Sequence, residues 1–265
     1  MSTAVITLTS EARRDHLARQ EEWLAVVAPH AIRVLVHLDD AAPSDLGGTV
    51  LHVPPGHEGM RLARGRNLGA RAAIERGADL LCFLDVDCLP HPDVLSRYER
   101  AAADGTLLCG PVTYLAEGVI PGGPALADPF VAPHAARPAP APGTVRAATD
   151  SEWDLFWSLS FACTPATWEA IGGFDERYEG YGGEDTDFAA TARNAGVGLA
   201  WVGGAHALHQ YHPTSSPPWQ HLDAILRNGD IFARKWGRWP MGGWIDAFAA
   251  AGAVENVDGV WRRVA

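Results

Sequence analysis

The sequence predicts an α/β fold, a mostly parallel sheet with helices on both faces. Three observations carry this. Short β-rich or apolar runs recur along the chain, helical stretches separate several of them, and the runs ending at Leu38, Val53 and Leu84 stop at acids or at Pro-Pro-Gly. Strands alternating with helices in this way build parallel βαβ units whose loops gather at one sheet edge.

Element by element, Ala4 to Thr9 is a β-rich run, and Leu17, Gln20, Glu21, Leu24 and Val27 follow at mixed helical spacing before Pro29. Arg33 to Leu38 reads as a strand ending in Asp39-Asp40, and Thr49 to Val53 as another. Arg61 to Arg76 is an Ala/Leu/Arg helix closed by Gly77, and Asp79 to Leu84 is an apolar strand running into Asp85-Val86-Asp87. Pro92 and Gly105 bracket the next helix, after which Thr106 to Val112 returns to strand character. Leu115 to Thr149 is rich in Pro, Ala and Gly and reads as a mobile insertion, either a lid or an inert linker. Gly198 to Val202 is a last apolar strand.

Composition bounds the function. The 265 residues, 47% apolar and 20% charged, suffice for one or two globular domains at roughly 100–200 residues each. No run of about 18 apolar residues suggests a membrane span, and the N-terminus lacks the basic region of a signal peptide. Net charge is −11 and Lys235 is the single lysine, which argues against a broad nucleic-acid footprint and leaves only a local Arg cluster for phosphate. Cys82, Cys88, Cys109 and Cys163 form no CxxC pair, so neither a zinc ribbon nor a disulfide framework is expected and the setting reads as reducing and cytoplasmic. Nine of the ten tryptophans lie between Trp153 and Trp261. Most read as core, with one or two free to stack on the apolar face of a sugar ring.

Four constellations carry chemistry. Asp85-Val86-Asp87 sits where a strand leaves the sheet, and ligands of open α/β sheets bind beyond such ends. Its carboxylates suit Mg²⁺ or Mn²⁺, although two solvated loop acids give the same string. Gly182-Gly183-Glu184-Asp185-Thr186-Asp187 opens a helix; its acids complement the helix dipole or supply a general base beneath a hydroxyl. His206, His209 and His212 crowd one short segment, where one or two imidazoles would complete a site begun by Asp87, and no HExxH string points to a zinc hydrolase. Arg61, Arg64 and Arg66 with Asn67 cluster at a helix start, a phosphate-binding pattern or a solvated basic face.

With Arg64-Gly-Arg-Asn67, Asp85-Val-Asp87, Gly182-Gly-Glu-Asp185 and His206-x-x-His209 in this order, the chain resembles the GT-A glycosyltransferases of the family-2 type. Its C-terminal part looks closest to the galactosyltransferase-like branch. The resemblance covers most of Ala4 to about Trp239. It implies a Rossmann-like single domain over 1–265, with a nucleotide-sugar-binding half (1–112), a flexible insertion (113–150), an acceptor and catalytic half (151–240) and a C-terminal extension (241–265). It implies Asp87 and His209 as ligands of Mn²⁺ or Mg²⁺, with His206 as third ligand where the branch carries Met. It implies Asp185 as general base and Glu184 gripping a sugar hydroxyl, with Tyr181 flanking donor and acceptor. Asp39 corresponds to the residue that reads uracil in many relatives. Thr7, Thr9, Arg13, Arg64, Asn67 and Asp85 fall at or near expected donor-contacting positions. The implied reaction is inverting, metal-dependent transfer from a nucleotide sugar, expected to be a UDP-sugar, to a carbohydrate or other hydroxyl-bearing acceptor. A metal-dependent nucleotidyltransferase and a catalytically silent carbohydrate-binding module are the alternatives; the first has no need of the Gly-Gly-Glu-Asp string and the second could lose the acids.

Overall fold

The structure, a computed structural model, describes residues 1–43 and 49–264. The N-terminal half follows the predicted order: β1 (Thr3–Thr9), α1 (Arg14–Val27), β2 (Ile32–His37), β3 (Thr49–His52), α2 (Leu62–Glu75) and β4 (Leu80–Leu84). It continues through β5 (Cys88–Pro90), α3 (Val94–Ala101), β6 (Thr106–Cys109) and β7 (Val112–Tyr114). Then come β8 (Val145–Ala147), β9 (Ser160–Cys163), α4 (Pro165–Ile171), α5 (Glu184–Asn194), β10 (Gly198–Val202), β11 (Ala207–His209), α6 (Leu222–Trp236), α7 (Gly242–Ala250), β12 (Val254–Val257) and β13 (Val260–Arg263).

Eight strands form one sheet in the order β3-β2-β1-β4-β9-β6-β10-β8. The first four are parallel, as is the β6–β10 pair, whereas β9 runs antiparallel between β4 and β6. A three-stranded sheet, β5-β11-β7, lies beyond the C-terminal ends of β4 and β6, and β12 pairs with β13. The predicted single strand Thr106 to Val112 is split. A Cβ on Gly110 would lie 1.6 Å from the Ala205 carbonyl oxygen, so only glycine admits that approach, and the chain passes there from the large sheet to the small one.

The insertion is anchored at several points. Its β8 pairs antiparallel with β10 at the sheet edge. The buried Arg137 guanidinium lies 5.6 Å from the Trp157 ring and 5.5 Å from the Trp201 ring, and its Nη2 donates to the Ser160 carbonyl.

The core beneath the C-terminal half is aromatic. Phe83 stacks on Phe161 at 4.4 Å and Phe174 on Phe188 at 4.1 Å, with Trp168 packed beside them. Phe188 belongs to α5 and Phe174 to the loop leading toward it, so this stack fixes where α5 begins. At the chain end α6, α7 and the β12–β13 hairpin close over a second apolar cluster of Leu222, Ile225, Ile245, Phe248 and Val254. No helix among the described residues is long and apolar enough to cross a membrane.

Candidate active site

After β4 the chain makes a tight turn in which Cys88 N–H donates to the Asp85 carbonyl at 2.8 Å. Gln20 of α1 holds it from below, its amide donating to the Asp85 and Cys88 carbonyls at 2.7 and 2.8 Å. β5 then pairs with β11 so that Cys88 faces His209, and Gln210 N–H reaches the Asp87 carbonyl at 2.6 Å. The Asp87 carboxylate therefore meets two imidazoles: His209 Nε2 lies 3.4 Å from Oδ1 and His212 Nε2 3.5 Å from Oδ2. All three ligand atoms fall within 4.8 Å of one another, and this is the metal-capable group found among the described residues. Burial works to raise the Asp87 carboxyl, but the hydrogen bond from His212 and the charge of His209 outweigh it and bring it down to about 2. Burial lowers His209, against the pull of Asp87, and so favours its neutral, ligating form.

His206, expected as the third ligand, lies outside this group. Its Nε2 is 2.6 Å from Thr113 Oγ1, which also accepts the Ala132 N–H, and burial pushes the imidazole down to about 4. Thr113 of β7 thus holds both His206 and, through Ala132, the insertion, while His212 is the histidine that joins Asp87 and His209 in the metal-capable group.

On the opposite wall, Gly182 and Gly183 both have left-handed backbones, with φ of 87° and 91°, and a Cβ on Gly182 would lie 2.9 Å from Met241 Sδ. The turn delivers three acids to the start of α5, and the structure separates their roles. Asp187 is fully buried and turned away: Lys235 Nζ and Trp236 Nε1 donate to it at 2.9 and 2.7 Å. Glu184, 8% exposed, faces Arg66. Asp185 accepts the Thr186 N–H at 2.7 Å, and burial together with the Glu184 charge pushes its carboxyl up to about 7.

Arg66 joins the two walls. Only 4% exposed and lying 5.2 Å from the Phe174 ring, it points Nη2 at Asp85 Oδ1 (3.4 Å) and Nη1 at Glu184 Oε1 (3.3 Å). Burial raises the Asp85 carboxyl while Arg66 pulls it back. A single guanidinium thus ties the strand-end acids to the helix-start acids in one cleft. Its place in the Arg64-Gly-Arg-Asn67 string was the only sequence signal for it.

The other predicted residues divide. Thr7 is fully buried and donates to Gln20 Oε1 at 2.9 Å, which links it through Gln20 to the Asp85 turn. Asn67 is bonded at both ends, Nδ2 to the Phe174 carbonyl and Glu176 Oε1 and Oδ1 to the Phe174 N–H, so it shapes the loop before α5. Thr9 is buried at the end of β1 with Oγ1 unpartnered. Arg13 is half-buried and its charge acts on Asp87 and His209. Asp39 accepts the Glu11 N–H at 2.5 Å and faces His37 Nε2 at 3.4 Å. Arg64 is exposed, 3.7 Å from Glu176. Tyr181, 36% exposed, stacks on His221 at 4.2 Å and lies 5.9 Å from the Trp244 ring.

Comparison with known proteins agrees with this geometry. Residues 146–213, which include the glycine loop and the histidine segment, match the family model described as the N-terminal domain of galactosyltransferase. Validoxylamine A glucosyltransferase of Streptomyces hygroscopicus subsp. jinggangensis is 28% identical over 196 residues, covering 67% of this chain and 45% of that protein. The counterpart from subsp. limoneus is equally similar over 42% of its length, so the chain spans less than half of these relatives. Among solved structures, GalNAc-T7 with UDP, GalNAc and Mn²⁺ superposes with a TM-score of 0.59 at 16% identity, over 89% of this chain and 48% of that one. Staphylococcus aureus TarS 1-349 in complex with UDP gives 0.56 at 12% identity, over 88% and 64%. The fold is that of GT-A glycosyltransferases, and the relatives the chain is similar to are glucosyltransferases.

Proposed function

We propose that the chain catalyses inverting, metal-dependent transfer of a sugar from a nucleoside diphosphate sugar, a UDP-sugar, to the hydroxyl of a carbohydrate or similar small acceptor. The observation that carries this is the Asp85–Arg66–Glu184 bridge, which brings a strand-end acid pair and a helix-start acid pair to one cleft. UDP in two fold neighbours, and Mn²⁺ in one of them, support the donor class. The four buried, free thiols support a reducing, cytoplasmic setting.

Asp87, His209 and His212 would hold the metal. One carboxylate and two imidazoles make a sound donor set, and their 3.4–3.5 Å separations need only a few tenths of an ångström to reach the spacing of about 3 Å between adjacent ligands on bonds of roughly 2.1 Å. When bound, the ion supplies positive charge against the leaving diphosphate. Arg13 adds charge on the same side. Across the cleft, Asp185 accepts the proton of the attacking hydroxyl while Glu184, oriented by Arg66, holds the acceptor. Asp187 is bound to Lys235 and Trp236, which leaves Asp185 as the acid available for proton transfer.

The test is a panel of nucleotide sugars assayed for nucleoside diphosphate release with and without acceptor sugars. Two expectations accompany it. Because two of the three ligands are nitrogen, Mn²⁺ supports UDP binding better than the oxygen-preferring Mg²⁺; equal affinity with the two ions in calorimetric titration counts against the imidazole ligands. The second concerns pH. A base pushed up to about 7 holds its proton below that value, so kcat/KM falls as pH drops through 7, whereas an ordinary carboxylate leaves the profile flat down to about 5. A pH–rate profile distinguishes them.

A further inference from the structure

We propose that Asn228 is a positioning residue, which from inside α6 holds the loop of residues 179–183 in the shape that aims Glu184 and Asp185 into the cleft. The proposal rests on the glycosyltransfer reading above. Asn228 is fully buried, and its Nδ2 lies 2.7 Å from the Gly182 carbonyl, 3.0 Å from that of Glu179 and 3.3 Å from that of Tyr181. One amide group thus gathers three carbonyls of a segment that belongs to neither helix nor sheet.

The Gly180 N–H also donates to the Met60 carbonyl at 2.8 Å, the Glu179 carboxylate accepts the Glu58 N–H at 2.9 Å and Tyr181 stacks on His221, while the Tyr181 and Gly182 carbonyls turn to Asn228. Gly180, Gly182 and Gly183 all adopt positive φ, so no side chains at these positions restrict the backbone, and the direction of the first turn of α5 depends on what catches the loop carbonyls. The fold accepts a penalty to catch them this way. Asn228 Oδ1 is buried without a partner among the described residues, so the amide is held here by its Nδ2 bonds to the loop, and an apolar side chain of similar size would leave the three carbonyls without this donor.

Neighbours on α6 reinforce the grip. Arg227 donates to the Glu179 carbonyl at 2.5 Å and to Glu58 Oε2 at 2.9 Å, joining this loop to the one at residues 54–60. Two turns further along, Lys235 and Trp236 hold Asp187. One helix therefore holds the catalytic segment ahead of its acids and again just behind them. Asn228 acts only through backbone carbonyls.

The experiment uses the whole chain with Asn228→Asp and Asn228→Ala. Asp keeps the shape but sets a carboxylate against three carbonyl oxygens; Ala removes the donor and stays informative should the Asp variant fail to fold. Active sites are counted by Mn²⁺–UDP binding, so misfolded molecules drop out of the rate. The expected result is a kcat per UDP-binding site lowered by about 10²-fold, the loss a misplacement of about 1 Å causes, with UDP affinity within about twofold of the parent. Amide hydrogen exchange at residues 180–185 should quicken in both variants. A kcat per site within about threefold of the parent, or unchanged exchange in this loop, overturns the proposal. Failure of the parent to transfer sugar from any nucleotide donor instead removes the glycosyltransfer reading, while the exchange measurement still decides whether Asn228 holds the loop.

Discussion

Asp87→Ala is expected to abolish Mn²⁺-dependent binding of UDP while the protein stays folded. The carboxylate is the only anionic member of the group that it forms with His209 and His212, and it touches both imidazoles. Burial already lowers His209, and losing the neighbouring carboxylate favours its uncharged form further, so that ring strands no charge in the interior. His209→Ala and His212→Ala should each weaken metal-dependent UDP binding by more than the roughly 10–100-fold that loss of even an outer partner of a metal ligand costs. His206→Ala separates the structure's assignment from the sequence's. It breaks the contact with Thr113 and should lower the melting temperature, yet leave metal-dependent affinity within a few-fold. Calorimetric titration of UDP with and without Mn²⁺ measures all four variants. Unchanged affinity in Asp87→Ala and His212→Ala removes the site, and a large loss in His206→Ala alone restores the sequence-based ligand set.

The histidine segment shows where the sequence stopped being legible. His206 and His209 are three residues apart, a spacing that shares a face on a helix but puts side chains on opposite faces of an extended chain. β11 begins at Ala207, directly after His206, and here His209 faces Asp87 while His206 turns to Thr113. His212 has the same spacing from His209, but β11 ends at His209, and beyond the strand no period shows that His212 comes to Asp87 as well. The same limit applies to Arg66 and Asn67. Consecutive helical positions diverge by about 100°, so one enters the cleft and the other fastens the loop at Phe174, and both read alike as polar residues at a helix start.

Legibility followed length and flanking signals in the fold as well. β1, β4 and β10 are apolar runs of five to seven residues with clear ends, and they appear where predicted. β5 and β11 have three residues each and β9 has four, too short for periodicity, although β9 completes the centre of the sheet and β11 carries His209. Asn228 lies inside a helix with no motif around it. Its role exists only once α6 is folded against the glycine loop.

Asp185→Asn is expected to remove transfer while leaving the donor side intact, and it is the most direct test of reaction type. Asp185 opens α5 and does not belong to the metal-capable group of Asp87, His209 and His212. Losing a general base costs about 10²–10⁴-fold in rate, so kcat should fall by that factor with Mn²⁺–UDP affinity unchanged. The fold should survive, because Asn has nearly the same shape and the bond from the Thr186 N–H needs only an acceptor oxygen. Removing a carboxylate beside Glu184 also relieves a like-charge contact, so the melting temperature should hold or rise. The acid limb of the pH–rate profile should disappear with the base. Steady-state kinetics beside a UDP binding curve reads each of these quantities. Retention of transfer within a few-fold, with the limb near pH 7 still present, would assign the proton to another group, and Glu184 would be the next carboxylate to replace because Asp187 is held by Lys235 and Trp236.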